Sequence, residues 1–149
     1  MLLIMTPDVN VLIAASRSDH PHHKIAYTCL DEAVVACAIG SSLKIMPMVA
    51  ASFLRLATHA KIFAKPTPMK NASAFIDMLL TMPGVEMPSV SIEWSVLRQL
   101  CLAKKLRAND IPNAWLAATV IHLGEHLVTF DTDFKKLLGR TQVTVLVPN

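Results

Sequence analysis

Glycine is scarce here, four in 149 residues. That excludes most phosphate-cradling loops, which need clustered glycines for close backbone approach, and no G-x-x-x-x-G-K-[ST], G-x-G-x-x-G or G-x-S-x-G occurs. Cysteine is also sparse: Cys29, Cys37 and Cys101 are odd in number and form no C-x-x-C. A disulfide framework and a cysteine metal cluster are both disfavoured, and buried free thiols in a reducing compartment are expected. No run of about 18 apolar residues exists, so no membrane-spanning helix is expected. The start, MLLIMTPDVN, has no basic region and carries Asp8, which argues against a signal peptide. Acids are fewer than bases, 11 against 14, and none lies between Lys44 and Lys70. Aromatics make up 5%, so Trp115 reads as core or dimer packing rather than as a base-stacking platform.

What is abundant is apolar. Hydrophobic residues reach 53% and mean hydropathy is +0.46. One domain over residues 1–149 is large enough to bury such a core, and the excess suggests a buried sheet or a face for a partner. The net charge of +3 and pI near 8.9 permit a nucleic-acid partner without requiring one.

Along the chain, Leu2-Leu3-Ile4-Met5 reads as a buried strand that ends at Asp8, followed by a short helix with Val9, Leu12, Ile13 and Ser16 on its inner face. A longer helix is expected from His22 to Ala38, then a short strand at Leu43–Met46 and a helix opened by Pro47. A helix over Ala72–Met82 stops at Pro83-Gly84, and Val85-Glu86-Met87 is a third short strand. A helix over Ser91–Leu106 places Trp94, Leu97, Leu100, Cys101 and Ala103 inward. The stretch Asn109–Phe134 gives an alanine-lined helix, a glycine stop, a strand over Leu127–Phe130 and then Asp131 and Asp133. A final edge strand runs from Val143 to Val147. This order predicts an α/β fold in which a short, mostly parallel sheet is flanked by helices.

In such sheets ligands bind beyond the carboxyl ends of the strands. Asp8 and Asp131 both fall at those ends, and Asp110 and Asn113 open the helix that leads to the second. Each has a plainer reading beside the functional one: Asp8 and Asp110 suit helix N-caps. Four or five oxygen-bearing side chains could still converge on Mg²⁺ or Mn²⁺, which favour hard oxygen ligands. An ion there would orient water and neutralise charge on a phosphodiester. His20, His22 and His23 read as solvated or capping residues rather than as ligands. The basic residues Arg98, Lys104, Lys105 and Arg107, with Lys135, Lys136 and Arg140, flank the acids in sequence and fit a phosphate backbone. A small-molecule phosphatase built on the same acids is a weaker reading.

Three segments together, DVNVLIAASRSDHPHHKIA, FLRLATHAKIF with a proline following, and NDIPNAWLAATVIHLGEHLVTFDTDF, resemble the PIN domain, specifically the VapC-type toxins of the branch abundant in mycobacteria. The resemblance covers essentially the whole chain. It implies a PIN-like three-layer fold and a cytoplasmic, metal-dependent endoribonuclease of a type II toxin–antitoxin pair. The implied substrate is RNA, structured RNA such as tRNA included, and the implied partners are a VapB-type antitoxin and a second copy in a homodimer. By the same resemblance, Asp8 and Asp131 are metal-binding aspartates, with Asp133 an auxiliary group, Asn10 a residue that steadies Asp8, and Thr129 a hydrogen bonder behind the metal.

Two positions depart from the pattern. Ser52 stands where many PIN domains carry a glutamate, and Asn113 stands where the family has an aspartate before the alanine of its Ala-x-x-Ala-Ala helix. Asparagine keeps an oxygen and loses the charge, and Asp110 is a partial substitute one turn earlier. The sequence leaves three explanations open: a natural weakened site, an inactive homologue that binds RNA or an antitoxin without cutting, or an inactivating change.

Overall fold

The computed structural model describes residues 4–89, 93–106 and 108–148, except for the side chain of residue 94. Leu2 and Leu3, the start of the expected helix at Ser91, the inward side of Trp94 and the cation of Arg107 all lie outside what is described.

The described strands are β1 (Ile4–Pro7), β2 (Ser42–Lys44), β3 (Val85–Glu86), β4 (Leu127–Thr129) and β5 (Val143–Val145). The helices are α1 (Val9–Ser16), α2 (His23–Cys37), α3 (Pro47–Ala57), α4 (Met69–Leu80), α5 (Trp94–Ala103) and α6 (Asp110–Leu123). The strands form one sheet in the order β3-β2-β1-β4-β5. Every pairing is parallel, with Met5 beside Leu43, Thr6 beside Leu127 and Leu127 beside Val143. The α/β expectation therefore holds. Leu43 and Leu127 are fully buried, as strands of a covered parallel sheet should be.

The order places the site. From β1 the chain moves outward through β2 and β3, then returns on the other side of β1 as β4. The two connections leave neighbouring strands in opposite directions, and the crevice this opens lies at the carboxyl ends of β1 and β4. Asp8 directly follows the first and Asp131 closely follows the second.

Several helix faces differ from their sequence patterns. In α1, Val11, Leu12, Ile13, Ala14 and Ala15 are all buried, so the helix has no outer face. It packs against α2, α3 and β4, and only Val9, Asn10 and Ser16 near its ends are half-buried. In α3, Met48, Ala51, Phe53 and Leu54 give a mostly apolar surface by sequence, whereas Val49, Ala50, Phe53 and Ala57 are buried and Ala51 is exposed. In α5, Leu97, Leu100 and Cys101 are only half-buried and Ala103 is exposed. Its neighbour is chiefly α6, one helix rather than a sheet. Of the thiols, Cys37 is buried while Cys29 and Cys101 are half-buried; all three are free. Gly124 ends α6 in the left-handed region at φ 66°, which glycine adopts without a Cβ clash.

Candidate functional site

Asp8 is the residue that leaves β1 and caps α1. Its Oδ1 accepts from the Val9 N–H at 2.7 Å, so the N-cap reading is correct. Its Oδ2 accepts from the Thr129 hydroxyl, also at 2.7 Å. The capping role does not remove Asp8 from the crevice. One carboxylate does both, because α1 starts where β1 ends.

Thr129, the last residue of β4, joins the group together. It is fully buried, and its Oγ1 donates to Asp8 while accepting from the Asn10 amide at 3.3 Å and the Asp131 N–H at 3.0 Å. Asn10 reaches across to the same strand end, its Oδ1 accepting from the Phe130 N–H at 3.2 Å. Asn10 thus acts on Asp8 through Thr129. Burial pushes the Asp8 carboxyl above its ordinary value; the Thr129 and Val9 hydrogen bonds oppose that, and the negative charge of Asp131 adds to it.

Asp131 caps a short 3₁₀ turn over Thr132–Lys136, its Oδ1 accepting from the Asp133 N–H at 2.9 Å. Its Oδ2 accepts from the Asn113 amide at 3.3 Å. Asn113 therefore offers Asp131 an N–H. An aspartate at 113 would set a second carboxylate against the first, an arrangement that calls for a cation or a proton between them.

Asp8 and Asn113 line one cleft of about 640 Å³, together with Ser52 from α3 and an apolar wall that includes Met48, Leu97, Ile111 and Trp115. Asp131 joins the group through Asn113. A larger groove of about 870 Å³ lies between α2 and the sheet but contains neither Asp8 nor Asn113. The smaller cleft is the chemical one, since it holds the Asp8 carboxylate together with Asn113 and Ser52.

Other expected site residues are placed elsewhere. Asp133 is exposed, and Lys136 Nζ lies 4.0 Å from its Oδ1. Asp110 is exposed as the first residue of α6 and does not line the cleft; the N-cap of that helix is Asn109 instead. Lys104, Lys105, Lys135 and Lys136 are exposed, and none of them lines the cleft. The histidines are engaged locally: His20 Nδ1 accepts from the His22 N–H, His23 Nδ1 lies 2.9 Å from the Ala14 carbonyl, and His22 stacks on Phe130 with ring centres 5.2 Å apart.

Glu93 escaped the sequence reading, and Trp115, read as core or dimer packing, is not in the core. It is 40% exposed. Its indole N–H donates at 2.7 Å to Glu93, a carboxylate only 8% exposed. They stand 22 positions apart, and the sequence between them carries no pattern that announces the pair.

The donor set bears on a metal. Hard oxygens are present, but only two carboxylates, Asp8 and Asp131, with a neutral amide in the third place. Among the described residues, no three His, Cys, Asp or Glu side chains gather as a metal site. The chemistry fits a hard divalent ion, held less strongly than three carboxylates would hold it.

The chain is similar in sequence and in fold to known proteins. The family described as the PIN domain matches residues 5–138. Ribonuclease VapC31 of Mycobacterium tuberculosis is 36% identical over 133 residues, covering 87% of this chain and 89% of its own. Ribonuclease VapC25 of the same organism is 35% identical over 130 residues, with coverage of 87% and 89%. Among solved structures, VapBC2 from Rickettsia felis, bound to a promoter DNA fragment, superposes with a TM-score of 0.66 at 15% identity, covering 97% of this chain and 100% of that one. VapC20 of Mycobacterium tuberculosis, a sarcin-ricin loop cleaving toxin, gives a TM-score of 0.61 at 14% identity, covering 89% and 93%.

Proposed function

This chain belongs to the PIN domain family, among relatives of the VapC ribonucleases, and on that premise we propose that it is the ribonuclease toxin of a type II toxin–antitoxin pair, working at a metal site weakened by Asn113. The observation that supports this most is the convergence of Asp8 and Asp131 on Thr129 at the carboxyl ends of adjacent parallel strands. Asp8, Asp131 and the Asn113 oxygen would hold Mg²⁺ or Mn²⁺. When bound, such an ion supplies positive charge against the phosphodiester and lowers the pKa of a bound water.

The chain's own residues do the positioning. Thr129 holds Asp8 and the backbone at Asp131 in fixed relation. Asn10 pins the Phe130 backbone and thereby the start of the Asp131 turn. Ser52 adds a hydroxyl to the cleft where many relatives by resemblance carry an acid. Asp133 acts as an auxiliary group at the rim, and Asp110 adds negative charge one turn before Asn113. The lysines at 104, 105, 135 and 136 attract the RNA backbone from outside the cleft. The partner is a VapB-type antitoxin, the protein acts in the cytoplasm, and its apolar helices α3 and α4 supply the dimer or antitoxin surface.

A second reading has one observation in its favour. The Asn113–Asp131 hydrogen bond satisfies Asp131 without any ion, as suits a PIN module that binds RNA or an antitoxin without cutting. The experiment that separates them is Asn113→Asp, measured beside the parent by calorimetric titration with Mg²⁺ or Mn²⁺ and by cleavage of a tRNA pool. Tighter ion binding together with faster cleavage is the expected result. An Asp variant that binds metal no better and leaves RNA intact would sink the nuclease reading.

A further inference from the structure

Trp115 lines the cleft from α6. It is 40% exposed and shares the cleft with Asp8 and Asn113. It is also fixed. The indole N–H, its one hydrogen-bond donor, is already taken at 2.7 Å by Glu93, which is only 8% exposed at the start of α5. The ring therefore has no polar group left to offer a ligand and presents π surface alone. Leu97, Ile111 and Met48 line the same cleft and give that surface an apolar setting.

We propose that Trp115 is a nucleobase-stacking residue of this cleft, with Glu93 as its positioning residue. The inference rests on the reading that the cleft receives RNA, and it adds where a base goes. Trp115 follows Asn113 by two residues on α6, and both side chains line the same cleft. A nucleotide whose phosphate lies at the Asp8–Asn113 end can set its base against the indole. Stacking on an aromatic face is strong and tolerant of sequence, because every base has a π face. An anchor already ordered by a buried carboxylate loses little side-chain freedom on binding.

The test uses RNA in EDTA, so that without a divalent ion binding is read apart from cutting. Fluorescence anisotropy of a labelled strand gives affinity, and intrinsic tryptophan emission reports on the ring. Quenching should accompany binding of the full strand and be absent with an abasic strand of equal length. Trp115→Leu, which keeps apolar bulk, should abolish that quenching and weaken binding of the full strand about ten-fold, leaving the abasic strand unchanged. Trp115→Phe should recover much of the affinity. Glu93→Ala, which frees the indole, should weaken binding of the full strand and not of the abasic one, and Glu93→Gln, which keeps an acceptor, should restore most of the difference. Binding of full and abasic strands that Trp115→Leu reduces equally would overturn the proposal. So would emission that follows protein concentration and ignores RNA, since the ring would then lie between two copies. Base-dependent quenching without cleavage of any RNA would retain the stacking residue and remove the nuclease reading; cleavage without such quenching would do the reverse.

Discussion

The Asn113 side chain donates to Asp131 Oδ2 at 3.3 Å, so a neutral amide stands against one of the two carboxylates that anchor the crevice. The contact does two opposed things. It lowers the charge available to a divalent ion, and it stabilises the ion-free protein by giving Asp131 a donor.

Asn113→Asp should therefore cost stability in the presence of EDTA. Replacing a donor by a second carboxylate should remove on the order of 1 kcal/mol, about 2–4 °C in melting temperature for a chain of this size. Millimolar Mn²⁺ should restore it, while the parent should respond weakly. A variant that melts with the parent in EDTA would show that the hydrogen bond carries no weight.

Thr129→Val keeps the shape of the side chain and deletes the hydroxyl that serves Asp8, Asn10 and the Asp131 backbone. Asp8, almost wholly buried, loses its donor to Oδ2. A loss of about 1–3 kcal/mol in urea unfolding is expected, with Thr129→Ser close to the parent. Equal stability of the Val and Ser variants would contradict the placing of Thr129 at the centre of the group.

Arg17 is a buried cation that ties the end of α1 to the chain between α3 and α4. It pairs with Asp19 at 2.9 Å, donates to Thr67 Oγ1 at 3.1 Å and the Lys65 carbonyl at 2.9 Å, and lies 3.8 Å from the centre of the Phe63 ring. Arg17→Ala should cost about 2–3 kcal/mol and expose residues 58–68 to limited proteolysis. Arg17→Lys should rescue little, because a single ammonium cannot reproduce the planar fork. An unchanged cleavage pattern in both variants would rule out the clamp.

Glu125 lies at the opposite end of the sheet from the cleft. Burial raises its carboxyl pKa above the ordinary 4.5, against the lowering effects of Lys44 and the Thr6 hydroxyl. A carboxyl that holds its proton more tightly when folded favours the folded state in acid. That contribution is complete below 4.5 and is lost as pH rises through the elevated folded value. Glu125→Gln should thus be more stable than the parent at pH 7, and the gap should close as pH falls toward 4. Denaturant midpoints at several pH values measure it; a gap that widens in acid would reverse the assignment.

The arrangement of elements was readable because hydrophobic period and punctuation agree along this chain. Pro47 opens α3, Gly124 closes α6, and short apolar runs end at Asp8 and before Asp131. Helix faces were less readable. The pattern of α1 suggested one inner side, whereas Val11 to Ala15 are all buried. For α5 a full inner face was expected, whereas its principal neighbour is one helix. Trp115 shows the same limit from the other side: its residue type and the low aromatic content argued for packing, and only its place on α6 beside the cleft leaves it open to solvent.

What the sequence by itself determined is local: which residues sit at strand ends, where helices start, and that position 113 carries no charge. These follow from residue type and spacing along a single chain. The tertiary structure decided which of those residues meet. The parallel register of β1 and β4 brings Asp8 within 2.7 Å of the Thr129 hydroxyl, 121 residues away in sequence. The docking of α6 then points the Asn113 amide at Asp131. Such contacts depend on how separate elements pack, and no periodicity within one element encodes them.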